Sequence, residues 1–298
     1  MDNKTIARPG EASKLYLGEG EQCPIPRELT HRQRPNESFL TSITSIGTNS
    51  FTLRATLPGN HPFFVVDDRG RHDPILIAET MRQAGIAVAH LGFGVPLGTQ
   101  FLMTDISFQV LDPSRLSAAG PAVEIELVLS CSEIVRKAAE LRQTRFQVSI
   151  SRSTAPGGPL ARGSGFLRCI PGAIYERLRL RRSHLSGEAP ALEPVGEVLP
   201  AAVVGRRHER DVLLVDTGGW RAGAPSAGWN VRVDPSHAGL FDHPLDHIPG
   251  MVQLEALRQA AMALTRASDC AGAFSGCEVQ LLRMIEVSEP GSWNASPL

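Results

Sequence analysis

The sequence is poor in what several functional classes require. Its five cysteines (Cys23, Cys131, Cys169, Cys270 and Cys277) form no Cys-x-x-Cys pair and stand at irregular intervals. An odd number at such spacings favours neither a zinc site nor a disulfide framework and suits a reducing compartment. There is no basic excess: 30 Lys and Arg face 31 Asp and Glu, for a net charge of −1. A sequence-independent nucleic-acid binder normally shows a strong one, and the nearest basic cluster, Arg177, Arg179, Arg181 and Arg182, is short. No apolar run approaches the roughly 20 residues that span a bilayer. Residues 1–20 are polar and mixed in charge, without the apolar centre of a signal peptide. The expectation is a cytoplasmic protein without metal, membrane or nucleic acid. Lysine is scarce while Ala, Arg, Gly and Pro abound, the bias of a GC-rich bacterial genome.

What is present is a globular chain of 298 residues with 42% hydrophobic content, enough for two domains of ordinary size. Residues 1–35 are polar and Pro-containing and read as an extension. From Phe39 to Ala55 the pattern predicts two short strands around a turn at Gly47-Thr48-Asn49. Pro74 to Leu91 predicts a helix, with Pro74 at its first position and Asp73 as its cap. Its apolar residues cover nearly every face, so other structure must enclose it. Strand-like runs follow at 100–110, 122–130, 141–150 and 161–170, with alternation clearest in Val123, Ile125, Leu127 and Leu129. Strands, one buried helix and more antiparallel strands describe an α+β unit with a sheet wrapped around a helix, the hotdog arrangement. The charged, Pro-rich stretch 171–200 reads as a linker. Strand-like material resumes at Val203, at 211–216 and at 230–233. A second helix is expected over 250–267, and one or two strands over 274–287.

The two helices repeat one another. His72-Asp73-Pro74 and His247-Ile248-Pro249 precede them, and with one inserted residue Glu79, Arg82, Gln83 and Ala84 match Glu255, Arg258, Gln259 and Ala260. Upstream, His61-Pro62 is matched with His243-Pro244. Such internal repetition indicates a tandem duplication, a double hotdog with units at 36–170 and 201–298. The second unit is shorter, so its sheet should have fewer strands. An unfinished sheet exposes backbone groups, and its edges would allow pairing with a second copy.

Glu and Arg three apart share a helix face. On a helix this apolar they form a buried or half-buried pair, which seldom stabilises once desolvation is counted. Either Glu79-Arg82-Gln83 and Glu255-Arg258-Gln259 pin strands to their helices, or a pair faces a cleft and acts on substrate. In the second case Arg holds an anionic oxygen through its fork of donors. Glu, in a partly apolar pocket, would have a raised pKa and exchange a proton. Free N–H groups at a helix start can polarise a carbonyl, and Gly250 would let one approach. His72 and His247, placed just before the helices, are further candidates beside the structural role usual for a lone histidine.

These motifs also bear a resemblance. Phe241-Asp242-His243-Pro244, His247-x-Pro249-Gly250-Met251 and Glu255-Ala256-x-x-Gln259 resemble the helix start of hotdog β-hydroxyacyl-ACP dehydratases, but the Arg before Gln marks a narrower group. His72-Asp73-Pro74, Glu79-Thr80-x-Arg82-Gln83-Ala84 and Val95-Pro96-Leu97-Gly98 with Gln100-Phe101 resemble the first repeat of the A-factor biosynthesis (AfsA-like) family. Asp246-His247-x-Pro249-Gly250-Met251 with Glu255-Ala256-x-Arg258-Gln259-Ala260 is similar to its second repeat. The resemblance implies an actinomycete acyltransferase. It would join a β-ketoacyl group, carried on the phosphopantetheine of acyl carrier protein, to dihydroxyacetone phosphate, with no other cofactor. The ester then gives a butenolide and, through other enzymes, a γ-butyrolactone autoregulator. By resemblance Glu79 and Arg258 are the positions expected to matter most. The competing readings are a β-hydroxyacyl thioester dehydratase, which needs no phosphate site, and a non-catalytic acyl- or lactone-binding regulator.

Overall fold

The computed structural model describes residues 17–118, 120–154, 157–183, 196–218, 220, 227–243, 245–267, 274–287 and 291–295. The first unit is an antiparallel sheet around one helix. Its strands are β1 (Gln22–Pro24), β2 (Leu40–Gly47), β3 (Ser50–Pro58), β4 (Gln100–Val110), β5 (Ala122–Lys137), β6 (Glu140–Arg152) and β7 (Ala161–Ile170), and its helix is α1 (Pro74–Leu91). In β5 the alternation is carried through: Val123, Ile125, Leu127, Leu129 and Cys131 face the core while Glu124, Val128 and Ser130 face outward. α1 starts as expected, with the Asp73 carboxylate accepting from Ile75 N at 2.9 Å. Every residue of α1 except Pro74 and Arg82 is buried.

The second unit holds α3 (Gly250–Ala267) against a four-stranded sheet of β8 (Glu197–Val198), β9 (Leu214–Asp216), β10 (Ala227–Val231) and β12 (Gly291–Ala295), in the order β12-β10-β9-β8. The remaining strand, β11 (Gly276–Gln280), leaves this unit and pairs antiparallel with β4. The first sheet thereby becomes eight-stranded, β1-β2-β3-β5-β6-β7-β4-β11. One continuous apolar core contains side chains of both helices.

Three local expectations are corrected. The 171–200 stretch is not uniformly a linker. Residues Gly172–Ser183 form helix α2, whose Leu178 and Leu180 are exposed, so no core periodicity announces it; residues 184–195 of that stretch lie outside the described ones. The N-terminal stretch up to residue 35 is no mere extension where it is described: β1 pairs with β2, and Arg32 is buried. Val203 lies in a turn, not a strand. The one or two strands expected over 274–287 are realised as one, Gly276–Gln280. No helix among the described residues is long and apolar enough to cross a membrane.

Candidate active site

α1 and α3 each carry a buried charge centre, and the two are built alike. In the first, Glu79 accepts from Arg82 Nε and Nη2 at 2.8 Å each and from Gln83 Nε2 at 2.7 Å. A second guanidinium, unsignalled by the helix motif, comes from the N-terminal stretch: Arg32 Nε donates to Glu79 Oε1 at 2.9 Å. Gln83 spans to the backbone, donating to Glu37 O and accepting from Phe39 N. In the second centre Glu255 accepts from Arg258 Nε and Nη2 at 2.8 Å and from Gln259 Nε2 at 2.6 Å. Here the second guanidinium is Arg206, with Nε at 2.8 Å. Gln259 donates to Asp211 O and accepts from Leu213 N.

The equivalence extends outward. Arg32, Glu37 and Phe39 recur at the same spacing as Arg206, Asp211 and Leu213. A histidine faces each acid: His61 Nε2 lies 3.2 Å from Glu37, and His237 Nε2 lies 2.9 Å from Asp211. Both rings accept backbone N–H groups at Nδ1, from Phe63 and Phe64 and from Leu240 respectively. His61 therefore corresponds to His237, and the sequence match of His61 with His243 does not hold in three dimensions. Pro244 of that match lies outside the described residues.

The expected raised carboxyl pKa is also corrected. Burial pushes Glu79 up, but Arg32 and Arg82 outweigh it and hold the group at about 2. Glu255 behaves identically between Arg206 and Arg258, again at about 2. Two cations and an amide donor on a fully enclosed carboxylate favour the ionised form more than burial disfavours it.

What separates the centres is access. Arg206 is fully enclosed: its Nη1 donates to Phe63 O and the Asp73 carboxylate, both at 2.8 Å, and its guanidinium lies over the Phe63 ring at 4.2 Å. Arg258 keeps only 6% side-chain exposure. Arg82 keeps 20%, and with Arg32 it borders a cavity of about 350 Å³ between the two units. His31, Arg32 and Arg82 line it from the first unit, and His243, His247 and Gly250 from the second. Ile86, Met103, Leu167, Met251 and Leu254 supply apolar wall.

Of the residues singled out in the sequence, Arg82, His247 and Gly250 meet in this cavity, with Glu79 and Gln83 directly behind Arg82. Glu255, Arg258 and Gln259 form the enclosed centre and do not line the cavity. The buried His72 ring has no hydrogen-bond partner among the described residues; burial, then Arg152, lowers its pKa to about 4. His247 Nδ1 lies 2.7 Å from Asp246. That carboxylate is gripped from α2, where Tyr175 OH donates to it at 2.8 Å and Arg179 pairs with it at 2.7 Å. Sequence reasoning missed His31, Arg32, Arg206 and the Tyr175–Asp246 contact. The repeated Arg32/Glu37/Phe39 and Arg206/Asp211/Leu213 spacing was the available signal for the two arginines.

Two helix-in-sheet units enclosing a partly apolar cavity at their junction, with two guanidinium groups at one corner, define a double hotdog protein. A family model described as the A-factor biosynthesis hotdog domain matches residues 18–171 and 188–289. A 2-oxo-3-(phosphooxy)propyl 3-oxoalkanoate synthase of Streptomyces coelicolor is 36% identical over 255 residues, covering 85% of this chain and 76% of that protein. One of the same name from Streptomyces virginiae is 39% identical over 240 residues, covering 80% and 76%. Among solved structures, a dehydratase heterocomplex from Xenorhabdus doucetiae aligns over 53% of this chain and 97% of its own, at 12% identity and a TM-score of 0.39. The chain belongs to the A-factor biosynthesis family.

Proposed function

We infer that this chain is an acyltransferase that joins a β-ketoacyl group to dihydroxyacetone phosphate, a step toward butenolide and γ-butyrolactone autoregulators. The observation that carries this reading is the pairing of Arg32 and Arg82 at the edge of a cavity that also has an apolar wall of Ile86, Met103, Leu167, Met251 and Leu254. A phosphorylated three-carbon acceptor needs guanidinium donors, and an alkyl chain needs apolar wall. A dehydratase needs the second but not the first. The relatives' name states a phosphooxy-propyl ester of a 3-oxoalkanoate.

The donor arrives on acyl carrier protein as a phosphopantetheine thioester. Its carbonyl lies at the start of α3, where the N–H groups of Gly250 and Met251 and the positive helix end stabilise the oxyanion. His247, fixed by Asp246, stands at the same entrance. Glu79 has both oxygens occupied and stays ionised, so its part is to hold Arg32 and Arg82 in place for the phosphate. The transfer exchanges a C–S bond for a C–O bond without net redox change.

Mass spectrometry of a mixture of the protein, a β-ketoacyl thioester and dihydroxyacetone phosphate tests the reading. It expects the phosphorylated keto ester and its dehydrated butenolide. An α,β-unsaturated thioester formed from a β-hydroxyacyl donor, with no ester from the first mixture, would establish the dehydratase instead.

A further inference from the structure

His31 sits where the second unit carries no side chain. It lies between Thr30, whose carbonyl takes Arg82, and Arg32, which binds Glu79. Gly205 holds the same place in the second unit, between Val204, whose carbonyl takes Arg258, and Arg206. Both residues are left-handed, with φ of 54° at His31 and 68° at Gly205. Glycine adopts that conformation freely, whereas a β-carbon there is disfavoured. A strained histidine at a cavity wall, where its counterpart is glycine, points to a use for the ring.

The ring's hydrogen bonds define its protonation. His90 Nδ1 lies 2.7 Å from Val95 O, and a carbonyl only accepts, so Nδ1 carries the hydrogen. In the neutral His90 ring Nε2 is then a lone pair, and it lies 3.0 Å from His31 Nε2. His31 must donate there. Its Nδ1 is consequently the lone-pair nitrogen, and no described group bonds to it. Phe101 packs edge-on against both rings, at centroid distances of 5.0 and 5.2 Å, and fixes their planes. Burial first, then His90, Arg82 and His243, lower the His31 pKa to about 3, so the ring is neutral at physiological pH.

We propose that His31 is the base of the acyl transfer, its Nδ1 taking the proton of the acceptor hydroxyl. The hydroxyl oxygen bonds to the thioester carbon, the C–S bond breaks, and His31 returns the proton to the departing thiolate. The chain His31–His90–Val95 holds the productive tautomer, as an acceptor-oriented partner does for catalytic histidines generally. A phosphate on Arg82 would counter that guanidinium's contribution, which ranks behind burial and His90 in lowering the His31 pKa.

The proposal rests on the acyl-transfer reading, and the experiment separates the two. Wild-type protein is first assayed for ester formation from a β-ketoacyl thioester and dihydroxyacetone phosphate; failure there counts against the reading itself. His31→Gly then places at 31 the residue the fold carries at 205, so the backbone is retained. Turnover is expected to fall by about 10²–10⁴, with the KM for dihydroxyacetone phosphate unchanged, and added imidazole should restore part of it. If His31→Gly does not fold by circular dichroism, His31→Asn, which also tolerates a left-handed backbone, is read for the same split between kcat and KM. Wild-type turnover in either folded variant, a rise in KM alone, or a loss in His31→Gly that imidazole leaves untouched would overturn the assignment.

Discussion

Replacing Glu255 by glutamine separates structural weight from chemistry in the enclosed centre. The carboxylate is 0% exposed and takes both Arg206 and Arg258. Glutamine keeps the volume but removes the charge, and its NH2 group faces guanidinium donors. Arg206 retains Asp73, whereas Arg258 keeps no described acid. Lowering the Glu255 pKa from 4.5 to about 2 corresponds to about 3 kcal/mol. Removing one partner of a buried pair typically costs about 3–5 kcal/mol. A loss of that order should lower Tm by roughly 10 °C in a chain of this size. Thermal and urea unfolding followed by circular dichroism measure the loss. Steady-state assays well below the new Tm then measure the acceptor's KM, which should stay at the wild-type value. An unchanged Tm would refute the structural role. A large increase in acceptor KM in the folded variant would refute the assignment of the phosphate to the other centre.

Arg82→Ala should instead raise the acceptor's KM about 10- to 100-fold, since a hydrogen bond to a charged group is worth roughly 1.5–3 kcal/mol; an unchanged KM would count against Arg82 as a phosphate ligand. Both buried glutamates have folded pKa values near 2, below their ordinary 4.5. Their stabilisation is therefore fully present above the unfolded pKa and disappears as pH falls through the folded one, so urea midpoints should drop steeply between pH 4 and pH 2 in the wild type and less steeply in Glu255→Gln. Because each buried methylene contributes about 0.8 kcal/mol, the donor's KM should fall about fourfold per added CH₂ until the cavity is full; equal KM values for short and long β-ketoacyl donors would place the chain outside it.

Much of this arrangement was written in local periodicity. The bounds of α1, α3, β4 and β7 coincide with the apolar runs, because those elements are packed on all or alternate faces and the pattern shows it directly. α2 escaped because its contribution is polar: Tyr175 and Arg179 grip Asp246 and Glu286, while Leu178 and Leu180 face outward. The signature motifs located Glu79 and Glu255 but not the sign of their pKa shift, which depends on Arg32 and Arg206. Those arginines lie 47 and 49 residues away in sequence, beyond any helical spacing. Nor could the repeat alone reveal which centre is accessible. That difference rests on tertiary details: Phe63 and Asp73 seal Arg206, whereas Arg82 borders a cavity completed by the other unit.

Where the acceptor's phosphate binds is decided most directly by a crystal structure of the protein with dihydroxyacetone phosphate. The phosphate should lie within hydrogen-bonding distance of the Arg32 and Arg82 guanidinium groups, in the cavity shared with His31, His247 and Gly250. A phosphate seated instead on Arg206 or Arg258, with Phe63 displaced, would contradict the assignment and make the enclosed centre the working one.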